Sequence, residues 1–137
     1  MLYAARECAR LLVDEGMPQA VERHRLYGSA MVAGLQSLGL EFFGDQSVRM
    51  NNVVAVGIPD GIDGEGLRAA MLADFGIEIG TSFGPMAGRY WRVGTMGYNA
   101  RRDAVLMTLA GLEDTLRRGG FAVTAGAGVG AAVEYLQ

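Results

Sequence analysis

Apolar residues in the first part of the chain recur at helical spacing, which predicts two consecutive helices. The first covers residues 2–15 and stops at Gly16, a typical C-terminal residue. The second follows Pro18, which suits a first helical turn, and Gly39 ends it. The predicted apolar stripes consist of Leu2, Ala5, Ala9 and Leu12 in the first helix, and of Val21, His24, Gly28, Met31, Leu35 and Leu38 in the second.

The middle of the chain contains short strand-like runs and one further helix. Residues 40–43 and 52–58 are predicted strands, and the second is apolar on both faces, which favours a central position in a sheet. A turn at residues 59–61 leads into a helix predicted over residues 64–75. Residues 77–79 are predicted to form the next strand.

The strand predicted at residues 90–93 gives one arginine a fixed direction. Trp91 and Val93 share one face of this strand, whereas Tyr90 and Arg92 share the other. If the first pair packs into the core, Arg92 points away from the core on a rigid support. Its planar guanidinium then suits a two-pronged anion such as a carboxylate. From the pattern alone, a solvated strand arginine is the commoner case.

A long amphipathic helix is predicted after this strand. Asn99 is its expected N-cap, and Asp103 in the first turn complements the positive end of the helix dipole. Gly119–Gly120 is its expected stop. The predicted buried stripe consists of Val105, Leu109, Leu112 and Leu116.

The order of predicted elements indicates an α+β domain with a small, largely antiparallel sheet covered on one face by long helices. Two helices precede the sheet, which disfavours a doubly wound parallel fold. In the tail, Gly126-x-Gly128-x-x-Ala131 matches a loose dinucleotide fingerprint. That fingerprint needs a following helix, then a second parallel strand and an acidic residue about twenty positions further on. Only six residues follow Ala131. The tail is therefore predicted to be a glycine-rich turn and a short helix.

Composition describes an ordinary globular protein, with 50% apolar and 20% charged residues. The net charge of −3 gives no electrostatic reason to expect nucleic acid, and no apolar run is long enough for a membrane span. The charged N-terminus lacks the apolar core of a signal peptide, and a lone cysteine suits a reducing compartment, so a cytoplasmic protein is expected. That cysteine, Cys8, lies beside the first apolar stripe and is predicted to be a small core residue.

Three groups of residues offer alternative chemistry, and each has a simpler structural interpretation. His24 could be a general base or a metal ligand, but no second ligand or orienting partner accompanies it in the sequence. Asp60, Asp63 and Glu65 lack the full ligand ladder of a calcium loop, so a solvated turn is expected. The pair Arg101–Arg102 could bind an anion, although at a helix start it more often faces solvent or a neighbouring domain. One cysteine and one histidine cannot build the usual redox or metal sites.

The segment Gly84–Asp103 contains the motif G-P-x-x-G-x-x-W-R-V-G-x-M-G, in which Arg92 is the arginine. This motif resembles the C-terminal domain of class V pyridoxal-phosphate aminotransferases. Within that class it is most similar to the alanine– and serine–glyoxylate branch and to the ureidoglycine–glyoxylate aminotransferases. The sequence departs from the family's pattern in the segment 81–83 and at Thr95, so the substrate branch stays open.

The resemblance implies that Arg92 binds the substrate carboxylate in an enzyme that transfers an amino group to an oxo acid such as glyoxylate. It also implies pyridoxal phosphate as cofactor, a missing large domain that carries the cofactor site, and a homodimer. Residues 1–16 then correspond to the inter-domain helix and residues 17–118 to the core of the small domain. Residues 119–137 form the glycine-rich tail with its short helix.

Lysine is absent, because all twelve basic residues are arginine. An enzyme that uses pyridoxal phosphate needs a lysine amine for its Schiff base, and a phosphate-binding P-loop needs a lysine after its glycines. P-loop chemistry is therefore excluded. This chain alone is expected to be inactive, with no catalytic residue of its own.

A second interpretation is a stand-alone, non-catalytic domain that binds a small carboxylate or a partner protein. The absence of lysine agrees equally well with this alternative. A first helix like the family's inter-domain helix argues against it, since an isolated domain has little use for that segment.

Overall fold

The computed structural model describes residues 1–137, which form five α-helices and a three-stranded antiparallel sheet. The α+β architecture with a small antiparallel sheet, predicted from the order of elements, is confirmed. Single 3₁₀ turns lie at Gln46–Val48, Gly84–Met86 and Gly97–Asn99. The regular elements are α1 (Leu2–Glu15), α2 (Met17–Ser37), β1 (Val53–Gly57), α3 (Gly64–Phe75), β2 (Gly80–Thr81), β3 (Tyr90–Gly94), α4 (Arg102–Arg118) and α5 (Ala127–Tyr135).

The sheet has the order β1-β3-β2, and both outer strands run antiparallel to β3. Val54 and Val56 of β1 lie opposite Val93 and Trp91 of β3, and all four side chains are buried in the core. The central position predicted for strand 52–58 is therefore wrong, since β3 is central. The other residues of β1 are half-buried on the second face, so its apolar character on both faces reflects partial cover there.

The strand predicted at residues 77–79 begins later, at Gly80. The chain first has to close α3, because Gly76 adopts the left-handed conformation with φ of 65°. The Ile77 amide then donates a hydrogen bond to the Met71 carbonyl at 3.2 Å. Backbone groups used to end the helix are not free to pair with a strand, so the pairing is displaced toward β2.

Residues 40–43 do not form a regular strand. They make one antiparallel bridge, between Phe42 and Val56, on the outer edge of β1. Gly44 follows with φ of 79°, a left-handed conformation that turns the chain away from the sheet. The short strand predicted here is therefore reduced to a single bridge.

The core lies between the sheet and the helices, and α4 runs through it. The stripe predicted for this helix is confirmed, since each of its four side chains is 0% exposed. Trp91 is also fully buried, and its indole N–H donates to the Gly64 carbonyl at 3.1 Å, which ties β3 to the start of α3. The α4 stripe consists of Val105, Leu109, Leu112 and Leu116.

Asn99 does not cap α4, and that prediction is wrong. The residue belongs to the 3₁₀ turn Gly97–Asn99, and its amide donates to the Met96 carbonyl at 3.0 Å. Arg101 occupies the N-cap position with extended backbone and no side-chain capping bond. The acidic residue of the first turn is Asp103, as predicted.

Helix α1 has the predicted bounds but not the predicted packing. None of its residues is buried, and its apolar stripe faces outward. Cys8 is exposed, so its prediction as a core residue is wrong. The buried stripe predicted from the spacing is therefore not found, because within residues 1–137 no other element covers this helix. No helix of the chain is both long and apolar enough to cross a membrane.

The glycine-rich tail forms α5, as predicted, and this helix packs against α2 and α4 with Ala132 fully buried. Its N-terminus is occupied by the carboxylate of Glu113 from α4, which is 8% exposed. That carboxylate accepts hydrogen bonds from the amides of Gly126 and Gly128. The helix start that resembled a nucleotide fingerprint is thus satisfied by an internal acid.

Candidate carboxylate site at Arg92

Arg92 stands in the middle of the central strand, where its neighbours on either side along β3 are fixed in the core. Trp91 is 0% and Val93 is 2% exposed, and their burial directs the Arg92 side chain to the opposite face. Its cross-strand partners are Ala55 on β1 and Gly80 on β2, both small. The strand therefore presents one exposed guanidinium between two small cross-strand neighbours, on the face that the alternation in sequence predicted.

Two residues of the β2 segment contact the guanidinium, and we call them the Arg92 cradle: Thr81 and Phe83. The Arg92 Nε donates to the Thr81 carbonyl at 2.8 Å. The Phe83 ring lies on the guanidinium, with its centroid 4.4 Å from Cζ. The guanidinium lies over Gly80 of β2, where an added Cβ would lie 3.4 Å from Nη2, an ordinary contact distance.

The turn that carries Phe83 is fixed by Ser82. The Ser82 hydroxyl lies 2.5 Å from the Met86 carbonyl and 2.8 Å from the Tyr90 carbonyl, so it joins the turn to the start of β3. Phe83 itself precedes the 3₁₀ turn, and its carbonyl accepts from the Met86 amide at 3.2 Å. Sequence reasoning did not assign a role to this segment, although its departure from the family's pattern was a signal.

An aromatic pair lies beside Arg92 on the same face of the sheet. The rings of Tyr90 and Phe43 meet edge to face, with centroids 5.2 Å apart and planes at 68°. Tyr90 precedes Arg92 by two positions along β3, so the two side chains are neighbours on one face. The open face thus combines one cation with three aromatic rings, counting Phe83.

A separate cleft of about 250 Å³ lies between α4 and the segment before β2, and Arg92 does not line it. Arg101 does, but its guanidinium is engaged at the start of α4. Its Nε forms an ion pair with Asp103 at 2.9 Å without making a hydrogen bond, and its Cζ lies over the Tyr98 ring at 4.1 Å. The pair Arg101–Arg102 is therefore split: Arg101 is half-buried at its own helix start, and Arg102 is exposed.

His24 has two backbone partners and lies apart from Arg92. Its Nδ1 is 2.6 Å from the Ala20 carbonyl, and its Nε2 accepts a hydrogen bond from the Gly97 amide at 2.9 Å. Both ring nitrogens are thereby engaged in tying α2 to the loop after β3, which agrees with the structural interpretation of this histidine.

Arg23, which the sequence analysis did not single out, joins the same loop to α1. It donates to the carbonyls of Gly97 and Ala100 at 2.6 and 3.2 Å and pairs with the Glu15 carboxylate. The hydrogen bond between the two side chains lowers the pKa of Glu15 and raises the pKa of Arg23. A pair eight residues apart across a helix junction has no local sequence signal.

The three acidic residues after β1 do not act together, since Glu65 pairs with the Arg68 guanidinium at 2.6 Å. Asp63 precedes α3, and its carboxylate accepts from the Gly66 amide at 3.0 Å as an N-cap. No group of three or more potential metal ligands comes together in the chain.

This chain cannot attach pyridoxal phosphate covalently, because it contains no lysine. What the exposed face offers instead is a guanidinium whose two Nη groups carry free donors. A guanidinium with two free Nη groups can pair with one carboxylate.

The chain is similar in sequence and in fold to known aminotransferases. Models of known protein families give no match for the chain. It is 51% identical over 137 residues to the (S)-ureidoglycine–glyoxylate transaminase of Bacillus subtilis, covering 100% of this chain and 33% of that relative. It is 34% identical over 117 residues to an alanine–glyoxylate aminotransferase of Callithrix jacchus, covering 85% of this chain and 28% of that relative.

The fold gives the same result. The crystal structure of ureidoglycine–glyoxylate aminotransferase from Bacillus subtilis superposes with a TM-score of 0.94 at 50% identity, over 98% of this chain and 35% of that one. In sequence and fold the chain matches the C-terminal part of glyoxylate aminotransferases, as its motif predicted. It spans about a third of the length of the relatives it matches.

Proposed function

We propose that this chain is the small domain of an aminotransferase that transfers an amino group to an oxo acid such as glyoxylate. Residues 1–137 form one domain in this proposal, and α1 is the helix that connects it to a large domain. The relatives' names supply the reaction class. The observation that carries the site is Arg92, held on a rigid strand with its Nη groups free.

Arg92 binds the carboxylate of the substrate and thereby orients the substrate. The guanidinium matches a carboxylate with two parallel N–H···O bonds, which fix both position and rotation of the substrate. Pyridoxal phosphate, when bound in the complete enzyme, supplies the chemistry of amino-group transfer. Its attachment lies outside this chain, so the 137-residue chain is inactive by itself.

The complete enzyme is proposed to be a homodimer in the cytoplasm. The exposed thiol of Cys8 suits a reducing compartment. The dimer rests on the resemblance to the family.

Arg92→Ala in the complete enzyme, meaning the polypeptide of the relatives' length that contains this chain, tests the proposal. Loss of the two charge-assisted hydrogen bonds is expected to raise KM for the oxo acid about 100-fold. Arg89→Ala is the matched control, since Arg89 is an exposed arginine at the end of the same turn and is expected to leave KM within about twofold. An unchanged KM in Arg92→Ala would refute the assignment of the site.

A further inference from the structure

The guanidinium of Arg92 has only one edge left for a bidentate ligand. A guanidinium carries five N–H donors, one on Nε and two on each Nη. The Nε donor is already used, because it bonds to the Thr81 carbonyl at 2.8 Å. A carboxylate that takes two parallel hydrogen bonds must therefore approach end-on, across Nη1 and Nη2.

That end-on orientation depends on what fixes the plane of the guanidinium. One hydrogen bond from Nε leaves the plane free to tilt about the bond. The two cross-strand neighbours, Ala55 and Gly80, offer a methyl group and no side chain. The Phe83 ring, whose centroid lies 4.4 Å from Cζ, is the side chain that packs against the guanidinium.

The ring is itself well placed for this task. Phe83 is 70% exposed, so burial in the core does not explain its position. Its backbone is pinned by the Ser82 hydroxyl on one side and by the 3₁₀ turn Gly84–Met86 on the other. The ring thus contacts the guanidinium from a turn that is itself held in place.

We propose that Phe83 is a positioning residue that holds the Arg92 guanidinium for end-on binding of the substrate carboxylate. The inference rests on the proposed function of Arg92. Phe83 does not itself bind the carboxylate. It acts by restricting the rotation of the group that does, so its removal weakens substrate binding and leaves the chemical step intact.

The test uses Phe83→Leu and Phe83→Tyr in the complete enzyme, with steady-state kinetics for glyoxylate. Leucine keeps apolar bulk but removes the aromatic face, and KM is expected to rise about three- to fivefold with kcat within about twofold. Tyrosine keeps the aromatic face, so Phe83→Tyr is expected to leave KM at its original value. Tyr98→Leu is the matched control, since it removes the ring stacked on Arg101 at 4.1 Å and is expected to leave KM unchanged.

A second measurement on the 137-residue chain does not depend on catalysis. The Phe83 ring current is expected to shift the Arg92 Nε–H signal in NMR spectra, and Phe83→Leu should remove that shift while the core signals stay in place. The positioning role is overturned if leucine and tyrosine variants raise KM equally, or if leucine leaves KM and the Arg92 signal unchanged. In either case a large effect of Arg92→Ala would still support the proposed function, whereas its absence would refute that function itself.

Discussion

The imidazole of His24 is held in one tautomer by backbone partners on two different elements. The Gly97 amide can only donate, so the Nε2 that accepts from it at 2.9 Å carries no proton. The proton of the neutral ring is therefore on Nδ1, which donates to the Ala20 carbonyl at 2.6 Å. A single residue thus connects α2 to the loop that follows the strand of Arg92.

We expect His24→Phe to destabilise the chain by about 1 kcal/mol, the usual net contribution of one such hydrogen bond. Phenylalanine fills the space but leaves the Gly97 amide without its acceptor. His24→Gln retains an acceptor and should lose less. Urea unfolding of the three proteins measures the difference, and equal losses in both variants would show that the bond to Gly97 contributes little.

At the scale of elements, α2 is packed so closely that some positions cannot carry a side chain. A Cβ on Gly34 would lie 2.3 Å from Leu109 Cδ1 in α4 and 2.9 Å from the Gly128 carbonyl in α5. A Cβ on Gly28 would lie 1.9 Å from the Asn51 carbonyl. Two glycines thus set the distance of α2 from α4, from α5 and from the segment that leads into β1.

Gly34→Ala and Gly130→Ala are expected to shift the thermal unfolding midpoint in opposite directions. The first forces overpacking between three helices and should cost about 1–3 kcal/mol. The second places a methyl group in open space within α5 and should stabilise the helix by about 0.5–1 kcal/mol. A calorimetric scan of each variant gives the sign directly. A lower midpoint for both would mean that α5 does not tolerate alanine even where space is free.

Local signals explain which elements the sequence could predict. Gly16 and Gly76 end α1 and α3 where expected, and the period of the α4 stripe identified its buried face. The position of β1 at the edge could not be read from its composition, because strand order depends on pairing between distant segments. The predicted N-cap of α4, Asn99, was wrong because this residue belongs to the 3₁₀ turn that precedes the helix.

The same distinction holds for the candidate site. Alternation along β3 was enough to place Arg92 on the face opposite Trp91. The cradle was not predictable, because the bond to the Thr81 carbonyl and the contact with Phe83 join two strands and depend on a side-chain conformation. The binding of a carboxylate by Arg92 stays a prediction that the kinetics of its variants must decide.

At the scale of the whole molecule, the chain has one well-packed body and one helix, α1, that makes few contacts with that body. Helix α1 buries no side chain, and Leu2, Tyr3 and Val13 on it are 86%, 86% and 79% exposed. Its side-chain connection to the body is the ion pair of Glu15 with Arg23. This pair is partly buried, but one ion pair is weak support for a helix of a length that is marginal in water by itself.

Hydrogen exchange on the 137-residue chain should therefore separate the two parts. Amides in the first ten residues of α1 are expected to exchange far faster than amides of α4, whose buried stripe opens only with global unfolding. In the complete enzyme proposed above, the same amides should be protected, because a large domain would cover the apolar face. Slow exchange of α1 in the isolated chain would contradict this expectation. If the slow exchange of α1 disappeared on dilution, a second copy of the chain would be covering its apolar face. If the slow exchange persisted on dilution, α1 would be stable by itself.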